Sequence, residues 1–396
     1  MPPPEIAFLK MVDFNSKICN NSGNVTGNVT AILSLFKGLG MRKNRRSVTI
    51  QDVAKTAGVS VSTVSRVLNG KVDVASETQD RIRSVIDDLG YTTNLAARSM
   101  RSFKKNMVGL IMPDIAYPFA IEVMKGVNRA IAESEFDLLV YTTGDVRKSG
   151  RASHEQKYVS LLNNSITDGV VIVAPVTGEF VTDAPIVSID PLMSEPSYAS
   201  VHATNYQGAM GAMEYLLSLG HRRIGFISGR AELESSTRRL MGYRDALKKA
   251  GLKIDERLIA SGDYTTETGM TCAQQLLSME NPPTAIFASN DQMAMGVFQV
   301  AQERGLRIPQ DLSVIGFDNI MESKYMGLTT VDQFISEMGF VATQMLFQLI
   351  NGEPLATQTY KMQTQLVIRN SCQALVEITS RTPERHRHTV QKTNKV

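Results

Sequence analysis

A short polar and basic run has the residue types that read DNA bases. Arg66 can donate two hydrogen bonds to a guanine, and Val61 can contact a thymine methyl group. Ser62 and Ser65 share the helical spacing of these two residues, so the four side chains would lie on one outward helical face. A helix of this size fits the major groove of DNA. The alternative is an ordinary helical hairpin whose polar face is solvated.

Two short helices joined by a tight turn would present this face. Thr49 can cap the first helix, with Asp52 at the capping-box position. Gly58 would end that helix, and Ser60 can cap the second. Small residues in the first helix, including Ala57, would let the second helix cross it closely at a steep angle. The pattern predicts a helix-turn-helix.

The run AKTAGVSVSTVSRVLNG, residues 54–70, resembles the DNA-reading unit of the lactose/galactose repressor (LacI/GalR) family. This resemblance implies a sequence-specific DNA-binding transcriptional regulator, most often a repressor, that binds a near-palindromic operator as a homodimer. It also implies control by a small-molecule effector, which is a sugar in many members; a corepressor or a purine-type ligand is the alternative. The residues expected to contact DNA in this unit are Thr49, Ser60, Val61, Ser62, Thr63, Ser65, Arg66 and Asn69.

Residues 92–106 would follow the helix-turn-helix domain, residues 47–91, whose third helix we expect Ser76 to cap. In the family the segment matching 92–106 is a hinge helix that pairs with its partner in the minor groove. Met100 stands where the family commonly has a leucine wedge, and such an apolar wedge kinks the duplex. A plain linker is the alternative. The hinge residues expected to contact DNA are Asn94, Ala97, Arg98, Met100 and Arg101.

Composition and charge agree with a DNA-binding protein built from more than one domain. The 396 residues are 43% hydrophobic and 20% charged, with a net charge of only +3. Between residues 41 and 105, however, 13 Lys and Arg face 6 Asp and Glu, and this excess suits a polyanion. The three cysteines are scattered without metal-ligand spacing, and no apolar run is long enough for a membrane span. We therefore expect a cytoplasmic protein without cofactor or metal.

The two ends of the chain differ from the rest. Residues 1–46 contain the small tandem repeat GNVTGNVT and are expected to be a disordered extension, with Met41 as the native start. The segment MRKNRR that begins there would otherwise contact phosphates as a flexible arm. Residues 376–396 lack apolar periodicity and are expected to form a disordered basic tail.

Between these ends, apolar strands alternate with amphipathic helices, which predicts an α/β fold with parallel sheets. Two such series predict two lobes with a ligand cleft between them, within an effector domain of residues 107–375. One lobe would comprise residues 107–203 plus 335–361, and the other residues 204–333 plus 363–373. The predicted helices are 119–133, 154–162, 208–219, 236–250, 268–278 and 292–304.

Motifs in this region resemble the family's effector domain, which is similar to periplasmic sugar-binding proteins. Asp190, Asn290 and Asp318 offer acceptors and amides for hydroxyl pairs, and Arg239 offers a rigid donor fork. Asn290 has the alternative of only capping the next helix, and Asp168 is expected to be a turn residue. The residues expected to line the effector site are Asp114, Tyr117, Phe119, Asp190, Ser235, Arg239, Tyr264, Asn290, Asp318 and Gln333.

An enzyme of the α/β class is the rival hypothesis for this cleft. The sequence has no phosphate-loop, dinucleotide-binding or nucleophile-elbow signature, and its five histidines form no evident triad or helical metal pair. A sugar-binding protein without DNA activity is a second rival, which the helix-turn-helix argues against. We therefore expect a regulator without catalytic residues.

Overall fold

The computed structural model describes residues 48–68, 73–91, 105–144, 150–193 and 196–375. Within these ranges no helix is long and apolar enough to cross a membrane. Several predicted features lie outside the described residues: the N-terminal extension, Asn69, the hinge residues Asn94, Ala97, Arg98, Met100 and Arg101, and the basic tail.

The described residues of the N-terminal unit form three helices: α1 (Ile50–Ala57), α2 (Val61–Leu68) and α3 (Ser76–Leu89). Gly58 ends α1 with a φ of 66°, a left-handed conformation that costs glycine little. The helices enclose one core, in which the buried side chains are Val53, Ala54, Ala57, Val64, Val67 and Ile82.

The prediction that Ser76 caps the third helix was wrong. Ala75 is the N-cap residue and forms no side-chain cap, because Ser76 is already the first residue of α3. The backbone carbonyl of Ala75 accepts from Thr78 and Gln79 instead, and the Gln79 side chain donates to the Val74 carbonyl at 2.8 Å.

The second unit begins with five strands and three helices that follow one another along the chain. Their order is β1 (Met107–Met112), α4 (Pro118–Ala132), β2 (Asp137–Thr142), α5 (Arg151–Ser165), β3 (Gly169–Val173), β4 (Ile186–Ile189) and β5 (Ala199–Ala203), then α6 (Asn205–Ser218).

A second series continues through more short elements than the sequence predicts. Its order is β6 (Ile224–Ser228), α7 (Glu234–Lys249), a 3₁₀ turn (Glu256–Leu258), β7 (Ile259–Ser261), α8 (Thr266–Leu277), β8 (Ala285–Ala288), α9 (Asp291–Glu303), β9 (Ser313–Asp318), α10 (Met321–Tyr325) and β10 (Thr329–Asp332). The last elements are α11 (Ile335–Ile350), β11 (Thr359–Met362) and β12 (Gln365–Val367).

The strands form two six-stranded sheets. The first has the order β11-β5-β4-β3-β1-β2, and all of its pairings are parallel. The second has the order β12-β10-β9-β8-β6-β7 and is parallel except for β12, which pairs antiparallel with β10. The predicted α/β fold with parallel sheets is confirmed, with one antiparallel edge strand added.

Helices cover both faces of each sheet, as parallel strands require. In the first sheet, α4 and α11 pack on one face, where Val123 and Met338 are fully buried, and α5 packs on the other. In the second sheet, α6 and α7 cover one face and α8 and α9 the other. The chain passes between the sheets after β5, after β10 and between β11 and β12.

Candidate ligand site and nucleic-acid interface

The helix-turn-helix is locally built as the sequence predicts. Thr49 and Asp52 form a complete capping box: the Thr49 side chain accepts from the Asp52 backbone, and the Asp52 carboxylate accepts from the Thr49 backbone at 2.8 Å. Ser60 caps α2, since its hydroxyl accepts from the backbone of Thr63 at 3.1 Å. The same hydroxyl lies 2.7 Å from that of Ser62, so the start of α2 is held by local hydrogen bonds.

The predicted reading face of α2 is accessible. Ser62 and Arg66 are exposed, whereas Val64 and Val67 point into the core. The Arg66 guanidinium forms an ion pair with Asp73 at 3.1 Å, and both side chains are more than half exposed. Because an exposed ion pair contributes little free energy, Arg66 can exchange Asp73 for a DNA base at small cost.

The carboxyl ends of strands from both sheets border one cavity. Its volume is about 810 Å³, including the space open to solvent. Asp190 follows β4, Asn290 follows β8, Asp318 ends β9 and Gln333 follows β10. The structure brings all ten predicted effector residues to the wall of this cavity: Asp114, Tyr117, Phe119, Asp190, Ser235, Arg239, Tyr264, Asn290, Asp318 and Gln333. Their roles in binding stay predictions.

Arg239 and Asp318 form the buried polar floor of the cavity. The Arg239 Nη1 atom lies 3.6 Å from the Asp318 carboxylate, and Gln333 donates to that carboxylate at 2.6 Å. Arg239 also donates through Nε to the Asn205 side chain at 2.8 Å, and its guanidinium stacks 3.7 Å above the centre of the Phe317 ring. Burial raises the pKa of Asp318 well above its usual value, while the charge of Arg239 opposes that rise.

Asp190 links the two sheets at the cavity wall. Its carboxylate accepts a hydrogen bond from the Ser235 hydroxyl at 3.0 Å, so the end of β4 is tied to the first turn of α7. Burial raises the pKa of Asp190, and the charges of Arg239 and His202 lower it. The pKa of Asp190 therefore depends on charged groups on both sides of the cleft.

Aromatic side chains supply the apolar part of the wall. Tyr117 and Phe119 are half-buried and pack against the core of the first sheet. Tyr264 faces the cavity from the second sheet, and a Cβ at Gly229 would come within 2.0 Å of its ring. The Tyr264 hydroxyl is buried without a well-formed hydrogen bond among the described residues, although Ser235 lies near enough to affect its pKa.

Four residues of the cavity wall have a left-handed backbone conformation. The φ angles are 45° at Ala174, 49° at Asp190, 76° at Tyr264 and 114° at Asp318. Such conformations are unfavourable for residues other than glycine and cluster at binding sites, where the surrounding fold enforces them. Their concentration here points to a preorganised site.

Hydrogen bonds show what Asn290 and Asp168 do in the fold. Asn290 both caps α9, by accepting from the Met293 backbone at 2.9 Å, and lines the cavity. Asp168 is structural, because its carboxylate accepts from the backbone of Lys105 and Met107 just before β1. Among the described residues no group of three or more potential metal ligands is present.

Comparisons with known proteins identify both units. The family model for bacterial regulatory proteins of the lacI family matches residues 49–94, and the periplasmic binding protein-like domain matches residues 213–372. Catabolite control protein A of Priestia megaterium is 34% identical over 337 residues, which are 82% of this chain and 99% of that protein. This chain belongs to the lacI family. The lacI-family member described here is a DNA-binding transcriptional regulator, and the expectation that it is not an enzyme is confirmed.

Solved structures agree with the assignment to the lacI family. The lac repressor dimer bound to operator and the anti-inducer ONPF has a TM-score of 0.74 and 26% identity, covering 83% of this chain and 100% of that chain. The complex of the transcriptional regulator CelR with cellobiose has a TM-score of 0.60 and 29% identity, covering 82% of this chain and 99% of that chain.

The structure of this lacI-family chain also places residues in the cavity that the sequence analysis missed. Arg230 follows β6, so the rule that ligands bind beyond the carboxyl ends of parallel strands could have found it. Arg151 is the first residue of α5, and no sequence pattern marks it. The other missed residues are Pro113, Pro118, Ala120, Val173, Ala174, Leu233, Asp263, Gln292 and Ile320.

Proposed function

We propose that the protein represses transcription from a near-palindromic operator as a homodimer, and that a small polyol bound in the cavity controls its affinity for DNA. The observation that carries this proposal is the cavity, which combines a buried Arg239–Asp318 pair with aromatic walls between two sheets.

The chemistry of the wall suits hydroxyl groups. Carboxylates and the Asn290 amide accept hydrogen bonds, Arg239 donates them, and Phe119 and Tyr264 offer flat surfaces for the C–H face of a sugar ring. Buried groups that are built to bind hydroxyls discriminate strongly against ligands that lack them. The similarity to a regulator solved with cellobiose supports a sugar as the ligand class.

The coupling to DNA would be a population shift between two arrangements of the lobes. The proposed lobes are residues 107–203 plus 335–361 and residues 204–333 plus 363–373, joined by the three chain crossings. A ligand that contacts both Asp190 and Asp318 favours a closed arrangement of the lobes. In the dimer, closure changes the spacing available to the predicted hinge helices, residues 92–106, and to the two α2 helices.

Fluorescence anisotropy on the protein's own promoter DNA tests this proposal. The operator titration is repeated with a panel of sugars, glycosides and purines, and we expect one sugar to shift the binding curve. The direction of the shift distinguishes induction from corepression. A protein that binds its operator tightly but responds to no member of the panel would contradict the assignment of the cavity.

A further inference from the structure

Two arginines that the proposed polyol chemistry does not use line the same cavity. Arg151 is the first residue of α5, beside the first sheet, and Arg230 follows β6 of the second sheet. The cavity wall therefore receives one guanidinium from each proposed lobe.

Arg151 is held rigidly. Only 7% of its surface is exposed, its Nε atom lies 2.9 Å from the Glu155 carboxylate, and its Nη2 donates to the Ala174 carbonyl at 2.6 Å. Glu155 is held in turn by the backbone of Val176 at 3.0 Å and by Thr177. A guanidinium fixed in this way loses little side-chain entropy when a ligand binds to it.

Arg230 has a weaker hold on its partner. Its Nε and Nη2 both donate to one oxygen of Glu232, and the Arg230 side chain is 13% exposed. The Glu232 side chain is 51% exposed, so it can turn into solvent and release the guanidinium. Glu155, by contrast, is buried and cannot leave Arg151.

Both guanidiniums have donors to spare. Within the described part of the chain, the Nη1 groups of Arg151 and Arg230 have no hydrogen-bond partner. Both guanidiniums line the same cavity, and burial lowers the pKa of Arg151, Glu155 raises it, the charge of Arg230 lowers it and that of Glu232 raises it. Glu155 and Glu232 already compensate these two charges, but when Glu232 turns into solvent an anion can take its place on Arg230 and also contact Arg151.

We propose that the ligand is an acidic polyol, whose carboxylate or phosphate is bound between Arg151 and Arg230 while its hydroxyls occupy the Arg239–Asp318 end. This inference rests on the proposed function, since it names the ligand class for that same cavity. The Arg230 fork, once Glu232 has left it, and the Nη1 donor of Arg151 match the oxygens of both groups, so uronates, aldonates and sugar phosphates share the required chemistry. An anion held from both sides also draws the two lobes together.

Isothermal titration calorimetry of the full chain with matched ligand pairs tests the inference. The probes are D-glucose, D-galactose and D-ribose, each compared with its uronate or aldonate and with its 6- or 5-phosphate. We expect one acid to bind at least about tenfold more tightly than its neutral parent. Preference for the carboxylate series or the phosphate series identifies which anion the cavity takes.

Arg230→Gln is the decisive variant, because its partner Glu232 is half exposed and tolerates the loss. We expect it to weaken binding of the acid by about tenfold to a hundredfold and to leave the neutral parent nearly unaffected. Arg151→Lys keeps the charge but loses the Nη1 donor, and the same loss is expected. Arg244→Gln, which removes an arginine paired with Glu256 outside the cavity, is the matched control and should bind the acid normally.

Equal binding of an acid and its neutral parent would overturn the inference and leave the proposed function standing. Retention of the full acid preference in Arg230→Gln, with an unchanged melting temperature, would also overturn it. If neither acids nor neutral sugars bind a chain that still holds its operator, the cavity is not a polyol site, and the inference fails together with the proposed function.

Discussion

Arg239 is a buried cation whose partners come from several elements. Its neighbours are Asn205 at the start of α6, the Ser289 carbonyl after β8, Asp318 at the end of β9 and Gln333 after β10. Removing one member of such a buried pair is costly, because the other charge stays without compensation. A ligand that replaces or adds one contact to Arg239 therefore affects hydrogen bonds to residues of α6 and to residues at the ends of β8, β9 and β10.

Asp318→Asn tests the role of this pair in binding. The substitution keeps the shape of the side chain but removes the negative charge beside Arg239. We expect ligand affinity to fall by about 1.5–3 kcal/mol, or roughly tenfold to a hundredfold, while operator affinity without ligand stays the same. Calorimetry with the ligand and anisotropy with the operator measure the two effects separately.

Asp311→Asn is the matched control, since Asp311 pairs with Arg307 on the surface and lies outside the cavity. It should leave both affinities unchanged. An Asp318→Asn protein that binds the ligand with wild-type affinity would remove Asp318 from the site.

Arg66→Ala tests direct reading of a base by α2. The Arg66 side chain is 60% exposed, so its removal leaves the core of the helical unit intact. We expect operator binding to weaken by about 1–3 kcal/mol and specificity to relax at one base position. Anisotropy with operators mutated at each position measures this change.

Arg83→Ala, on the exposed surface of α3, removes the same charge from a helix that does not carry the reading face. It should lower affinity for all sequences alike or leave it unchanged. An equal loss on every operator variant in Arg66→Ala would refute direct readout by that residue.

At the scale of elements, α9 is anchored by a buried carboxyl at its first residue. Asp291 is fully buried, accepts from the Thr330 hydroxyl of β10 at 2.5 Å and accepts from the Ile320 backbone at 3.0 Å. A Cβ at Gly316 would come within 2.2 Å of the carboxylate, so β9 needs glycine there. This one side chain joins α9 to β10 and to the loop before α10.

Burial raises the pKa of Asp291 from 3.8 to about 7, against the opposing effect of its hydrogen bonds. Because the folded-state pKa is the higher one, the neutral carboxyl stabilises the fold fully below about pH 4. That contribution is lost progressively as the pH rises to about 7.

Asp291→Asn should therefore flatten the pH dependence of stability. The Asn oxygen can accept from the Ile320 backbone while its amide donates to Thr330, whose hydroxyl can reverse. The wild type should lose stability as the pH rises from 5 to 8, whereas the variant should not. We therefore expect the Tm of the variant minus that of the wild type to increase by about 3–6 °C over this range. Thermal melts followed by circular dichroism at four pH values measure the gain.

The surface variant Asp311→Asn again serves as a control. Arg307 lowers the pKa of Asp311, so its contribution is complete above about pH 4 and does not change between pH 5 and pH 8. If the Tm of the wild type and that of Asp291→Asn change with pH in the same way over this range, Asp291 is ionised in the folded protein.

A buried histidine gives stability the opposite pH dependence. His221 contacts the Thr284 and Ser313 hydroxyls and the Gln373 carbonyl, and thereby holds the C-terminal segment against the second sheet. Burial lowers the pKa of His221 below 6.5, so this contact is weakened as the pH falls through and below that value.

At the scale of the whole molecule, the proposed homodimer makes the spacing of the operator half-sites a sensitive test. Two α2 helices reach successive major grooves only when the half-sites lie on one side of the duplex. We expect an insertion of about five base pairs between the half-sites to reduce binding to the nonspecific level. A particle mass near twice 43.5 kDa in light scattering is expected for the same preparation.

The same insertion placed outside the two half-sites is the control and should leave binding unchanged. Equal affinity for the correctly spaced and the half-turn-shifted operators would contradict simultaneous reading by two subunits.

Local patterns in the sequence determined the helix-turn-helix and the type of α/β fold. The capping residues Thr49 and Ser60 and the breaker Gly58 act within one helical turn, so their roles need no distant partner. The ten cavity residues were predictable because they lie at strand ends or in motifs resembling those of the family. Short elements were missed, since three to five residues, as in β7 and α10, show too little periodicity.

Only the tertiary structure decided which residues meet across the two sheets. Arg151 and Arg230 are far apart in the chain, and although Arg230 follows a strand end, nothing local to Arg151 indicates that both face one cavity. The burial of Asp291 depends likewise on β10 and on the loop before α10, which are distant in sequence. Burial and electrostatic contact arise only when the chain is packed. The raised pKa of Asp291 and the set of charged side chains that line the cavity therefore depend on the tertiary structure.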